Sequence, residues 1–156
     1  MFLQIFFIFF ILTAIWLSIK ISIADFKRRI IPDAYLFPLM LIGLILISFY
    51  HFPTNIQDAV IGATAGYLLA TCVGCAFDYY MRKHGDNITP PIGMGDIKLI
   101  GVGGLWLGAT GLAYALIIAC ITGAIWARIR HQKYIPFAPF FLLGGFLSLI
   151  ANHILL

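Results

Sequence analysis

The stretch Leu99–Ala127, LIGVGGLWLGATGLAYALIIACITGAIWA, runs for 29 residues without a charge. A helix crosses the hydrocarbon core of a bilayer in about 20 residues. The stretch is long for one crossing and short for two, and Gly108-Ala109-Thr110-Gly111 near its middle reads as a turn. Charge on either side decides between the two. Four further apolar runs frame it: Met1–Ile19, Ala34–Tyr50, Ala59–Phe77 and Pro136–Asn152. With a turn at Gly108, the first, third and fifth loops and their flanks hold Lys20, Lys27, Arg28, Arg29, Arg82, Lys83, Lys98, Arg128, Arg130 and Lys133. Those are all ten basic residues, and the other loops and both termini hold none. A single crossing would strand Arg128, Arg130 and Lys133 on the opposite side. Cytoplasmic loops collect Lys and Arg, so the sequence predicts an all-α polytopic membrane protein. It has about six transmembrane helices, both termini on the outer side, and one domain over 1–156. Helices four and five come out short, which implies a thinned or water-filled bilayer around them.

Composition agrees. The chain is 62% hydrophobic and 10% charged, with a mean hydropathy of +1.02. A water-soluble globule carries about 25% charged residues. The net charge of +4 lies in short loops between apolar runs, so it reads as a topology signal facing a lipid bilayer rather than a nucleic-acid surface. The first run imitates a secretory leader, with Ser22-Ile23-Ala24 resembling a cleavage site. Its basic residues follow it instead of preceding it, which fits an uncleaved span. Cys72 and Cys75 form a C-x-x-C inside an apolar helical stretch, without the second ligand pair a zinc site needs. Helix packing is the expected role, and neither metal nor cofactor is expected. Gly62-x-x-x-Gly66 and Gly104-x-x-x-Gly108 are signals for close helix approach.

The chain has no Glu and six Asp. Asp58 and Asp33 stand where helices three and two begin and suit caps. Asp78 is a boundary charge near Arg82, and Asp86 belongs to the polar turn His84-Gly85-Asp86-Asn87. Asp25 and Asp96 differ. One ends helix one and the other starts helix four, at about the same depth on the same face. Two neighbouring carboxylates can share a proton, one activating water while the other donates to a carbonyl oxygen. The same positions also suit plain ion pairs with Lys20, Arg28 or Lys98. Around Asp96 the sequence reads Gly93-Met94-Gly95-Asp96-Ile97-Lys98. Two glycines ahead of the acid allow tight backbone geometry and close approach of another chain.

Gly93-Met94-Gly95-Asp96 resembles the GxGD motif of membrane aspartyl peptidases. Extended through Lys98 and Leu99, it is similar to the second catalytic motif of the type IV prepilin peptidases. Asp25-Phe26-Lys27-Arg28-Arg29-Ile30-Ile31-Pro32-Asp33 is similar to that family's first motif, with Asp33 where the family has Asn. Ile135-Pro136-Phe137-Ala138-Pro139-Phe140 resembles the start of the family's final helix. The resemblance implies an aspartic-type endopeptidase of the bacterial inner membrane, serving pilus biogenesis and protein secretion. It would remove the leader from prepilin or pseudopilin precursors at the cytoplasmic face. Asp25 and Asp96 would be catalytic, and Gly93, Gly95 and Lys98 would position substrate. Longer relatives add a domain with paired C-x-x-C motifs and N-methylate the product, and no methyl transfer is expected of this chain, which resembles the short peptidases of tight-adherence pili. Three other readings compete. A presenilin-like protease would pair its GxGD acid with an Asp following Tyr, whereas Asp25 follows Ala24. A small transporter or channel would hold acids at the midplane, and these six lie at helix ends or loops. A non-catalytic assembly subunit would tolerate loss of either Asp.

Overall fold

The computed structural model describes residues 2–84, 92–131 and 135–155. Among them the regular structure is entirely helical: α1 (Phe2–Arg28), α2 (Asp33–Tyr50), α3 (Ile56–Lys83), α4 (Met94–Arg130) and α5 (Phe137–Leu155). The first four are long and apolar enough to cross a membrane, and Phe137–Asn152 forms a shorter apolar helix. Four threonine hydroxyls within these helices are satisfied locally. Thr13, Thr64, Thr71 and Thr122 each donate to the carbonyl four residues back. An apolar solvent demands such internal pairing.

The helix α4 is two arms joined at Gly108, whose φ of 68° and ψ of −179° depart from helical geometry. That backbone region is essentially closed to residues with a Cβ. The arms fold back on one another. A straight helix would hold Ile100 and Leu112 about 18 Å apart, yet both lie against Gly66 of α3. Residues 94–107 run along α3, where Gly62 and Gly104 meet backbone to backbone and neither has room for a Cβ. Residues 109–130 run along α5, with Gly111 against Ser148 and Gly123 against Phe140. The buried Ser148 hydroxyl donates to the Gly111 carbonyl at 3.1 Å. Both ends of α4 therefore return to one end of the molecule. Lipid is as apolar as Leu, so small residues and polar bonds of this kind hold membrane helices together.

The core joins Leu17 and Ile21 of α1, Leu36 and Leu46 of α2, Leu99 and Ala115 of α4, and Phe141 of α5. The Trp106 ring lies on Gly43, and its indole N–H donates to the Leu39 carbonyl at 3.1 Å, tying α2 to α4. At one end of the molecule Tyr50 donates to the Leu3 carbonyl, and Thr54 and Asp58 approach Gly108. At the other end lie the C-terminus of α1 and the N-termini of α2, α4 and α5, and with them the charged motifs.

Three local expectations change. Asp33 is the first residue of α2, whose cap is Pro32, so its side chain is free to reach Lys98 instead of capping. The cap of α3 is Asn55, which leaves Asp58 within the first turn. Cys72, Cys75 and Cys120 are free and exposed on the outside of the bundle and do not pack between helices. Asp86 and the turn around it lie outside the described residues.

Candidate active site

Asp25 continues the buried stripe Ala14, Leu17, Ile21 along α1, and it is 5% exposed. A carboxylate so placed needs partners, and α5 supplies one. The Ala138 N–H donates to Asp25 Oδ2 at 2.8 Å. The first N–H groups of any helix lack partners inside it, and Pro139 has no N–H to offer. Asp25 therefore caps α5 from a distant helix, with its charge at the positive end of the helix dipole. Arg29, one turn further on, acts electrostatically on the same carboxyl. Arg29 takes a left-handed φ of 53° and donates its N–H to the Asp25 carbonyl at 2.9 Å, which ends α1 just past the acid.

Asp96 reaches the same place from α4. Gly93 caps that helix without a side chain, and Asp96, three residues in, turns its carboxyl back toward Gly93. This is the position from which a capping-box acid reaches the cap residue. The glycines have separate uses. A Cβ at Gly93 would stand 3.2 Å from Asp96 Oδ2, so glycine there keeps the carboxyl uncrowded. A Cβ at Gly95 would stand 3.0 Å from the Ile31 Cβ, so glycine there lets α4 start directly against the α1–α2 connection. Asp25 and Asp96 are near enough to interact electrostatically.

Lys98, on the next turn of α4, bonds both oxygens of Asp33 at 2.9 and 2.7 Å. The pair ties the start of α2 to the start of α4 beside Asp96. Both side chains are half-exposed, so the pair contributes about 0.2–1 kcal/mol. Asp78 pairs with Arg82 at 3.0 Å on the surface of α3, as its position suggested. The contact between Asp25 and the N-terminus of α5 was missed in the sequence. Its only signal was Ile135-Pro136 ahead of an apolar run, which marks a helix start but not the side chain that caps it. Phe26 of α1, Trp126 of α4 and Phe140 of α5 form a series of rings, with centroids 6.2 and 5.9 Å apart, that joins these three helices. Among the described residues no three His, Cys or Asp gather as a metal would require.

A family model described as the type IV leader peptidase family matches residues 11–128, which include both acids. The chain belongs to that family. Curated relatives carry the name prepilin leader peptidase/N-methyltransferase. The one from Aeromonas hydrophila is 33% identical over 142 residues, covering 86% of this chain and 47% of the relative. The one from Stutzerimonas stutzeri is 31% identical over 142 residues, with the same coverage. The one from Dichelobacter nodosus is 32% identical over 144 residues, covering 90% of this chain and 48% of the relative. The chain thus spans about half the length of the curated relatives it matches. No solved structure matches it.

Proposed function

We propose that this member of the type IV leader peptidase family is a membrane aspartyl endopeptidase acting on prepilin or pseudopilin precursors, with Asp25 and Asp96 as its catalytic dyad. The observation that supports the reading is that Asp25 at the end of α1 and Asp96 at the start of α4 lie within electrostatic reach of one another. In the reaction the ionised carboxylate takes a proton from water, which attacks the scissile carbonyl. The protonated partner donates to the carbonyl oxygen, and the tetrahedral intermediate collapses as the leaving amine takes up a proton. Gly93 and Gly95 leave backbone room beside Asp96, and Lys98 acts through Asp33 to hold α2 and α4 in register. Each arm of α4 then makes its own crossing, giving six, with both termini outside. That topology puts the dyad and the basic loops at the cytoplasmic face of a bacterial inner membrane. The relatives' name joins leader peptidase with N-methyltransferase, and the reading concerns the peptidase alone.

The test is co-expression with candidate prepilins, scored by the size shift on loss of the leader. The wild-type chain should process at least one precursor. Asp78→Asn, which breaks only a surface pair on α3, should process it at the wild-type rate. Failure to process any of the prepilins of the host genome would contradict the proposal.

A further inference from the structure

Asp25 and Asp96 lie within electrostatic reach of each other, and two neighbouring carboxyls cannot both ionise cheaply. Their surroundings differ in the groups that favour charge. Asp25 is buried, and its Oδ2 accepts the Ala138 N–H at 2.8 Å from the first turn of α5. A hydrogen bond to an ionised acceptor is about twice as strong as one to a neutral acceptor. Arg29, one turn along α1, acts electrostatically on the same carboxyl. Lys27 and Arg28 neighbour it in the chain, and the first turn of α5, residues 137–140, carries no charged side chain. Arg128 and Arg130 end the second arm of α4 and are exposed. Asp96 is placed otherwise. Lys98, the next cation along α4, is engaged by both oxygens of Asp33 at 2.9 and 2.7 Å. Asp96 also lies at a helix N-terminus, that of α4, so helix dipoles alone do not divide the two acids. The Ala138 bond and Arg29 do.

We infer that Asp25 is the carboxylate that activates water and Asp96 the acid that holds the proton, with the Ala138 N–H fixing that division. The inference rests on the peptidase reading above and assigns roles within it. Asp25 takes a proton from water, whose oxygen bonds to the scissile carbon. The carbonyl π electrons move to the carbonyl oxygen, which takes the Asp96 proton. On collapse the C–N bond breaks and its electron pair stays with nitrogen. Asp25 gives that nitrogen the proton it took from water. Asp96 regains a proton from the hydroxyl that becomes the new carbonyl, so both acids return to their starting states. Ala138 is then a positioning residue. It acts through Asp25, by its backbone N–H, from a helix that belongs to neither acid.

The test reads which limb of the pH profile moves. The purified chain in detergent micelles is given a precursor that it cleaves, and kcat/KM is followed against pH. Ala138→lactic acid, introduced by nonsense suppression, turns the amide into an ester of nearly the same shape without the N–H. If Asp25 is the first to ionise, losing the bond acts on the acid limb alone, which should move up by about half to one pH unit. The alkaline limb, where Asp96 loses its proton beside an Asp25 already charged, should stay in place. Arg29→Gln should move the acid limb the same way and further than the alkaline limb. It decides alone if the ester chain fails to insert. Asp78→Asn should move neither limb. Movement of the alkaline limb instead reverses the roles and overturns the inference. Equal movement of both limbs, or of neither, also overturns it and spares the dyad. Cleavage by Asp25→Asn or Asp96→Asn, or none by the wild-type chain, overturns the peptidase reading and the division of roles with it.

Discussion

Asp25 is bonded to the first turn of α5, so its chemical and structural duties must be separated by substitution. Asn keeps an oxygen able to accept from the Ala138 N–H, and Ala does not. Asp25→Ala should therefore lower stability by about 1 kcal/mol relative to Asp25→Asn, read as a lower unfolding midpoint in detergent. Equal midpoints would mean that the bond carries no weight. The dyad should titrate as a unit. A plot of kcat/KM against pH should be bell-shaped, with two apparent constants that belong to the pair. Asp33→Asn should weaken the tie to Lys98 without removing either limb, and a single-limbed wild-type profile would argue against a shared proton. Asp25 and Asp96 were both legible as candidates because they stand at helix ends inside recognisable motifs. The partner of Lys98 was not legible. Nothing in the spacing between Asp33 and Lys98 says that α2 and α4 begin side by side, and a residue after Pro32 looked like a cap until its position within the first turn was known.

Among the elements, the folded-back α4 decides the architecture. The turn near Gly108 was legible from charge, because every basic residue falls on one side only if the chain reverses there. Its cause was not legible: one residue with φ of 68° breaks the helix, while Ala109, Thr110 and Gly111 remain helical. Gly108→Ala forces a Cβ into that conformation and toward the Thr54 hydroxyl at 3.3 Å. It should cost on the order of 1–3 kcal/mol, seen as a reduced unfolding midpoint or loss of folded protein from membranes. A midpoint equal to wild type would show that the reversal does not depend on glycine. The glycine spacings read as packing signals prove to be partners. Gly62 and Gly104 face each other across α3 and α4, which sequence spacing alone could not pair.

For the whole molecule, one end gathers the C-terminus of α1 with the N-termini of α2, α4 and α5, and both motifs lie there. The membrane class was legible from composition, and the co-location of Asp25 with Asp96 from charge. A groove of about 1190 Å³ lined by α1, α5 and the first arm of α4 was not, since it depends on how α1 and α5 diverge around a third helix. The proposed topology makes a separate demand. In a cysteine-free background, Thr54→Cys should react with an impermeant reagent from the outer side, and His131→Cys only after the inner side is opened. Labelling of both from one side would rule out two crossings within α4. The central claim is the dyad, and its most direct measurement is cleavage of one processed precursor by purified wild-type, Asp25→Asn and Asp96→Asn proteins in liposomes. The account predicts that each variant remains folded, with a wild-type unfolding profile, and loses cleavage by at least about a thousandfold, or roughly 4 kcal/mol of transition-state stabilisation. Cleavage by either variant within a few-fold of wild type would contradict it.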